Sequence, residues 1–490
     1  MNSSRPPHAL LLVAMIVALA PALAPAQHVT DEWIEQMAAP LIENRVVDGL
    51  SIGYIEGDRF GIVHLGSATR SGKNADNLTL YELGSISKVF TGILLADAVL
   101  RGQVDLNAPA AVANAAGIRL PSRDGKPITW LDLSTHRSGL PRLPGNFAPT
   151  DMKNPYRGYD AKQAAAFVND YALPRTPGEK QEYSNLGTAL LGYLVAQQAG
   201  KSYDEHLRER ITEPLKMTDC AVELSEAQAK RLAAPHDRVG SVTSRWAFED
   251  LPGAGGIHAN MRDMLRFAKA QLEPPAGPTG EAIEFAWKQQ RDGDKSGPAM
   301  GLGWMIAGDG QTRWHNGGTG GFHTAIFINR ELKAAAIVLC NTSVDQPIDQ
   351  LAMQIIQKAA GHDVQPPKPE DAVAAADGDD GKDDKKDSKA DDAPAKGAGK
   401  KDAIDAKLRS RLVVRYQLNP NFIFDVRDEE GHLMVDITNQ PTQEVFPDSP
   451  TRWSYRGVDA TLEFKLPKSG PARSLVLHQN GAKKLARRMK

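Results

Sequence analysis

The residues with the clearest chemical potential are a serine and a lysine three positions apart. Ser85-Ile86-Ser87-Lys88 opens an apolar stretch, Val89 to Leu100, directly after Gly84. If that stretch is helical, spacing of three puts Ser85 and Lys88 on one face of its first turn. A serine there gains from the helix dipole, which favours developing negative charge. Its own backbone N–H can serve an oxyanion hole. The lysine can take the hydroxyl proton once burial lowers its pKa. Alone the motif is weak, since a Ser-x-x-Lys arises by chance about once in a few hundred residues of ordinary composition. The competing reading is a plain surface helix start.

Two further segments share the right character. Tyr183-Ser184-Asn185 follows Thr176-Pro177-Gly178 and precedes a second apolar helix, Leu186 to Ala199. A tyrosine beside cations can ionise well below its usual pKa of ~10 and act as a base. The Asn185 amide could hold both Lys88 and a substrate carbonyl. Trp314-His315-Asn316-Gly317-Gly318 then runs into a glycine-rich loop, Gly317 to Gly321, ahead of a strand from Thr324. Glycine there lets a substrate lie against the strand backbone. A buried core tyrosine with an N-cap asparagine, and a plain glycine-rich hairpin, are the alternatives for these segments taken singly.

Together and in this order, the three resemble the active-site triplet of the penicillin-recognising serine enzymes. The Tyr-x-Asn form is similar to that of the class C β-lactamase and DD-peptidase branch. So are Tyr81-Glu82-Leu83-Gly84, His136-Arg137-Ser138-Gly139-Leu140-Pro141, Gly253 to Gly256 and Gly301-Leu302-Gly303-Trp304. The resemblance spans about residues 30 to 360. It implies that Ser85 is the acylated nucleophile, with Lys88 and Tyr183 as its proton-transfer pair. It further implies substrate binding by Asn185, His315, Gly317 and Gly318, with the N–H groups of Ser85 and Gly318 as the oxyanion hole. Two departures stand out. His315 occupies a position where class C β-lactamases carry lysine; His-x-Gly there is similar to what DD-carboxypeptidases and D-aminopeptidases of this branch carry. Imidazole with a pKa of ~6.5 is mostly neutral at pH 7, so a clamp on a substrate carboxylate is expected to strengthen as pH falls. Arg142-Leu143-Pro144 also stands where those β-lactamases have a substrate-binding glutamine. Both point away from efficient β-lactam turnover.

The surrounding elements define how these residues would be positioned. Leu50 to Glu56 and Phe60 to Leu65 read as a hairpin around Gly57-Asp58; Thr324 to Asn329 and Ala334 to Leu339 read as another. Gly303 to Ile306 reads as a further strand. Helical stretches fill the middle, notably Gln163 to Tyr171 and Met261 to Leu272, and Gln350 to Ala360 closes the region. Strands at both ends with helices between predict an α/β (α+β) fold. It would be one antiparallel sheet flanked by helices with a helical insertion, as in the β-lactamase/transpeptidase fold. Beyond it, alternating apolar residues at Phe422, Phe424, Val426, then Leu433, Val435, Ile437, then Leu462, Phe464, Leu466 predict a small C-terminal antiparallel β-domain.

The expected domains are therefore four. Residues 1–26 read as a signal peptide: Arg5, an apolar run from Ala9 to Ala20, then small residues Ala24-Pro25-Ala26. That run is too short to span a ~30 Å hydrocarbon core as a helix. Residues 27–365 form the catalytic domain and 408–490 the β-domain. Residues 366–407 have no aromatic residue and are rich in Asp, Lys, Ala and Gly, the composition of a disordered charged linker. The expected location is therefore periplasmic or secreted, with no stable membrane span in the mature chain. A net charge of -2 gives no reason to expect nucleic acid as a partner. There is no CxxC or HExxH, so neither metal nor cofactor is expected. The two cysteines, Cys220 and Cys340, could pair in an oxidising compartment. Cys340 ends an apolar run, which favours a free buried thiol. His64, His136, His236, His258 and His323 read as structural or surface residues.

The function expected is acyl transfer to water through Ser85, on D-amino-acid or peptidoglycan-related peptides. The alternatives are a small-molecule esterase, a class C-like β-lactamase, and a catalytically idle peptide- or glycan-binding protein.

Overall fold

The computed structural model describes residues 28–366 and 406–489, apart from residues 420–421, 430, 439–441, 456–459 and 480–481. The expected signal peptide, and the expected linker apart from residues 366, 406 and 407, lie outside the described residues. Helix α1 (Asp31–Glu43) is followed by the hairpin β1 (Gly49–Glu56) and β2 (Arg59–Gly66), then β3 (Leu80–Glu82). Helix α2 (Ser87–Leu100) and helix α3 (Asn185–Ala199) come next, then β4 (His258–Asn260) and α4 (Met261–Leu272). Strands β5 (Ala299–Met300), β6 (Met305–Ile306), β7 (Thr312–Gly318), β8 (His323–Asn329) and β9 (Ala334–Cys340) precede α5 (Gln346–Ala359). The main sheet has seven strands in the order β2-β1-β9-β8-β7-β6-β5. All its pairs are antiparallel, and β1 meets β9 from the far end of the same unit, Ile52 opposite Val338.

Burial explains the composition of the central strands. Every residue of β8 and β9 is buried. Along β9, Ala335, Ile337 and Leu339 face the core that holds α2, α3 and α4. Ala334, Ala336, Val338 and Cys340 face the second core, with α1 and α5. A strand covered on both faces needs no polar alternation, so it reads as a continuous apolar run. Helix α2 is buried along nearly its whole length, hence its apolar character on all sides. Helix α5 starts earlier than the sequence indicates, because Pro347 fits the first turn, where its missing N–H costs nothing. The helix read as Gln163 to Tyr171 is Ala161–Val168, capped at its start by Asp160. Cys220 and Cys340 are both buried free thiols.

The C-terminal unit is a closed antiparallel barrel. Its strands are β10 (Arg415–Asn419), β11 (Phe422–Glu429), β12 (His432–Ile437), β13 (Gln443–Ser449), β14 (Arg452–Ser454), β15 (Ala460–Phe464), β16 (Ser474–Gln479) and β17 (Ala482–Arg488). Tyr416 opposite Arg488 closes the ring. Phe424, Val426, Leu433, Val435, Leu462 and Phe464 fill the interior, as the alternation requires. The barrel touches the larger unit, residues 28–366, through the Glu444 N–H, which donates to Ser241 Oγ at 3.3 Å, and through His432, whose ring meets the Arg70 carbonyl. Arg45 adds an ion pair with Asp448 at 3.4 Å.

Candidate active site

The nucleophile turn is built by close backbone packing. Gly84–Ile86 forms a 3₁₀ turn that runs straight into α2, and Gly84 adopts a φ of 52°. That left-handed conformation favours glycine. A Cβ on Gly84 would lie 2.9 Å from the Gly318 nitrogen. A Cβ on Gly317 would lie 2.1 Å from the Leu83 carbonyl oxygen and 2.8 Å from the Ser85 nitrogen. The end of β7 is thus pressed against the turn, bringing the Ser85 and Gly318 amides into one contact zone. Thr324 Oγ1 on β8 donates to the Leu83 carbonyl at 2.8 Å and holds the turn from beneath.

Lys88 is 1 % exposed, and its Nζ lies 2.9 Å from Ser85 Oγ. It also donates to the Ala254 carbonyl at 2.6 Å. Burial, and then the nearby Arg142 cation, hold the amine well below the ordinary lysine range. A neutral amine beside a serine hydroxyl is a competent proton acceptor. Ala254 sits in the 3₁₀ turn Pro252–Ala254, which is tied to α2 by Thr91 Oγ1 donating to the Gly253 carbonyl at 2.7 Å. This acceptor is a backbone oxygen, so no residue type could have signalled it; only the glycine run around it marks the place.

Tyr183 lies beside both groups, with Lys88 Nζ 5.0 Å from its ring centroid and Ser85 within hydrogen-bonding reach. The sequence reading had cations lowering its pKa. Burial wins instead, pushing the hydroxyl up to about 12 despite opposing contributions from Ser85 and Arg142. Tyr183 is therefore a neutral phenol, able to pass a proton rather than begin by removing one. Asn185 begins α3, with Ser184 as its N-cap accepting from the Gly187 N–H at 2.9 Å. The bonds formed by Lys88 go to Ser85 and Ala254, while the Asn185 side chain bonds Tyr156. Asn185 therefore does not hold Lys88 as expected, and Tyr156 has taken the amide.

His315 on β7 is 1 % exposed. One ring nitrogen, Nδ1, lies 2.5 Å from the Asn316 carbonyl, and Nε2 has no partner in the protein. Burial, then the neighbouring Lys88, lower its pKa to about 3. The imidazole is neutral across the physiological range, so a clamp that charges as pH falls through ~6.5 is not what this geometry provides. His136, read as structural, is buried beneath Tyr183 with ring centroids 4.4 Å apart. Its Nδ1 accepts from the Ser184 N–H at 3.4 Å, which makes it a positioning residue for Tyr183. The other histidines are tied elsewhere: His64 to Ser51 and Asn77, His323 to Asp349, His258 near Glu82, and His236 to the Asn341 carbonyl.

Two features of the rim escaped the sequence. Tyr156 stacks on Phe248 at 4.5 Å and contacts Trp246 and Phe147, forming an aromatic wall beside Asn185. On the other side, an open cleft of about 720 Å³ is lined by Lys180, Gln181, Glu182, Tyr183, Asp294, Lys295 and Ser296. Among the described residues no group of three or more His, Cys, Asp or Glu side chains could hold a metal ion.

An antiparallel sheet built from both ends of residues 28–366, with a serine and a buried lysine at the start of a central helix, defines a serine hydrolase of the penicillin-recognising class. The family model described as Beta-lactamase matches residues 34–360, and the chain belongs to that family. It is 27 % identical over 313 residues to the D-alanyl-D-alanine-carboxypeptidase/endopeptidase AmpH of Escherichia coli (strain K12), covering 60 % of this chain and 80 % of the relative. It is 25 % identical over 446 residues to penicillin-binding protein 4* of Bacillus subtilis (strain 168), covering 84 % of this chain and 88 % of the relative. Among solved structures, a class C β-lactamase matches with a TM-score of 0.58 at 18 % identity, covering 67 % of this chain and 95 % of the other.

Proposed function

We propose that this chain is an exported hydrolase that forms an acyl-enzyme at Ser85 and acts on D-amino-acid peptides of the peptidoglycan type. The observation that carries the reading is the buried Lys88 amine 2.9 Å from Ser85 Oγ, with its pKa held well below the usual range. The neutral amine takes the hydroxyl proton as Ser85 Oγ attacks the carbonyl carbon. The Ser85 and Gly318 N–H groups stabilise the oxyanion. The proton then passes through the neutral Tyr183 hydroxyl to the leaving amine, whose bond to the carbonyl breaks. Water, deprotonated by the same pair, attacks the ester, releases the acid and restores Ser85.

The peptide preference is supported by the likeness to a relative named as a D-alanyl-D-alanine-carboxypeptidase/endopeptidase. Histidine rather than lysine at position 315 agrees with it. Export rests on the leader-like residues 1–26. Among the described residues no helix is long and apolar enough to cross a membrane. A β-lactamase remains the second reading, favoured by several relatives named Beta-lactamase. The test is a turnover screen with wild type and Tyr183→Phe on a D-alanyl-D-alanine peptide, its L-configured counterpart, a simple ester and nitrocefin. Preferential turnover of the D-peptide, lost in Tyr183→Phe, supports the proposal. Nitrocefin turnover far above the peptide rate makes the chain a β-lactamase, and no turnover of any substrate returns the idle binding protein.

A further inference from the structure

The barrel rests on a part of the larger unit that has little regular structure of its own. Residues 235–250 contain no helix and no strand beyond isolated bridges. The turn 237–241 closes on itself, with the Ser241 N–H donating to Asp237 Oδ1 at 2.8 Å. A segment of this kind keeps its position through contacts with its neighbours. It is supported from two directions. Within the larger unit, the Trp246 N–H donates to the buried Glu82 carboxylate at 2.6 Å. From the barrel, the Glu444 N–H of β13 donates to Ser241 Oγ, and both residues are buried. His432 completes this joint, with Nε2 on the Arg70 carbonyl and Nδ1 2.5 Å from the Glu444 carboxylate. Arg45 donates to the Pro447 carbonyl at 2.5 Å, so β13 is fastened towards both of its ends.

The same segment carries one wall of the active site. Trp246 and Phe248 pack on Tyr156, with ring centroids 5.1 and 4.5 Å away. The backbone around Tyr156 is tied to the segment on both sides. The Ala247 N–H donates to Asn154 Oδ1 at 2.8 Å, and the Gly158 N–H donates to Glu249 Oε1 at 2.8 Å. Tyr156 in turn bonds the Asn185 side chain. A continuous run of contacts therefore leads from β13 of the barrel, through Ser241 and the wall, to the amide expected to hold a substrate carbonyl. The nucleophile turn has supports of its own, in Thr324 Oγ1 and the close packing of Gly317.

We propose that the barrel is a working part of the active site: through β13 it holds residues 235–250, and with them Tyr156 and Asn185, where they receive the acylamide portion of a substrate. Ser241 and His432 are the positioning residues at the joint. The inference rests on the Ser85 acyl-enzyme reading and adds to it a role for the C-terminal domain. Loosening the joint removes one of two supports from the wall, so it weakens substrate binding and leaves the attack by Ser85 intact. Molecules that make no use of the wall should not sense the barrel at all.

The experiment compares the full-length wild type with Ser241→Ala and His432→Ala, which remove the acceptor and the ring of the joint. Lys483→Ala on β17, four strands round the barrel from β13, is the control. Three molecules are used: a D-alanyl-D-alanine peptide, benzylpenicillin, which carries an acylamide side chain, and a small alkyl fluorophosphonate, which has none. Thermal unfolding checks that each variant folds. KM for the peptide, and the half-saturating concentration for acylation of Ser85 by benzylpenicillin, should rise about 3–10-fold in both variants, the worth of one lost hydrogen bond. The peptide kcat and the fluorophosphonate rate should change less than about 2-fold, as should every value in Lys483→Ala. A lowered unfolding temperature with all these constants unmoved makes the joint merely structural and overturns the proposal. Equal losses on all three molecules overturn it as well, because the joint would then act on the oxyanion strand through Gly320 and Gly321, where Trp246 and Thr243 pack. If the peptide is not hydrolysed, the peptidase reading fails, while benzylpenicillin against fluorophosphonate still decides the role of the joint. Failure of both acylamide molecules to react, with the fluorophosphonate acylating Ser85, also overturns it.

Discussion

Gly317→Ala is the sharpest perturbation that the geometry allows. The added methyl would stand 2.1 Å from the Leu83 carbonyl oxygen, 2.8 Å from the Ser85 nitrogen and 2.8 Å from Thr324 Oγ1. Two of the three are backbone atoms, so no rotamer change relieves the overlap. Strand β7 must retreat from the nucleophile turn. Overpacking of this kind costs ~1–3 kcal/mol, which for a domain of this size lowers Tm by about 2–4 °C per kcal/mol. The functional loss should be larger. Displacing the Gly318 amide removes one of the two proposed oxyanion donors, and such losses cost about 10²–10³-fold in rate. Thermal unfolding and the rate of Ser85 acylation by a fluorophosphonate measure the two effects on the same sample. Gly308→Ala is the control, since a methyl there meets nothing within 4 Å. Wild-type acylation by a folded Gly317→Ala variant would refute the claim that β7 and the nucleophile turn form one oxyanion site.

Three other outcomes follow from the same geometry. Lys88→Met should abolish acylation, and the stability difference from wild type should change with pH. A buried amine with a lowered pKa penalises the folded state below the unfolded pKa of 10.5, and the penalty fades as pH rises toward it. Urea midpoints between pH 7 and 10.5 should therefore show wild type gaining on the variant; a constant gap would mean that Lys88 is not depressed. His315→Gln should leave the shape of the kcat/KM profile between pH 5 and 8 unchanged, because an imidazole titrating at about 3 contributes no inflection there. Loss of an inflection near 6.5 would show that His315 does titrate. In the barrel, hydrogen bonding to Glu444 raises the His432 pKa above 6.5, so its stabilisation is fully present below 6.5 and lost as pH rises through the raised value. Thermal unfolding of the full chain should show Glu444→Gln losing stability at pH 5.5 more than at pH 8.5, and an equal loss at both would deny the His432 contribution.

Much of this architecture is legible because burial writes itself into residue type. Strand β9 is apolar throughout since both its faces are covered, and barrel strands such as Phe422–Glu429 alternate since one face is. Strand β7 was harder. Its sequence, Thr-Arg-Trp-His-Asn-Gly-Gly, has neither pattern, because one edge serves the site rather than the core. Ser85 and Lys88 were accessible through their spacing, a local property of a helix. The charge states of Tyr183 and His315 were not, because they depend on desolvation by residues far away in sequence. Arg142 illustrates the same limit. Read in sequence it marks an absent glutamine, while in the fold it stands over Tyr183.

The central claim is that Ser85 becomes acylated, and intact-mass spectrometry tests it most directly. Wild type and Ser85→Ala would be incubated with benzylpenicillin and, separately, with a fluorophosphonate, then digested to locate any adduct. One adduct per chain, on the peptide containing Ser85, and none in Ser85→Ala is the predicted result. An adduct on another residue, or turnover that survives Ser85→Ala at near wild-type rate, would contradict the account.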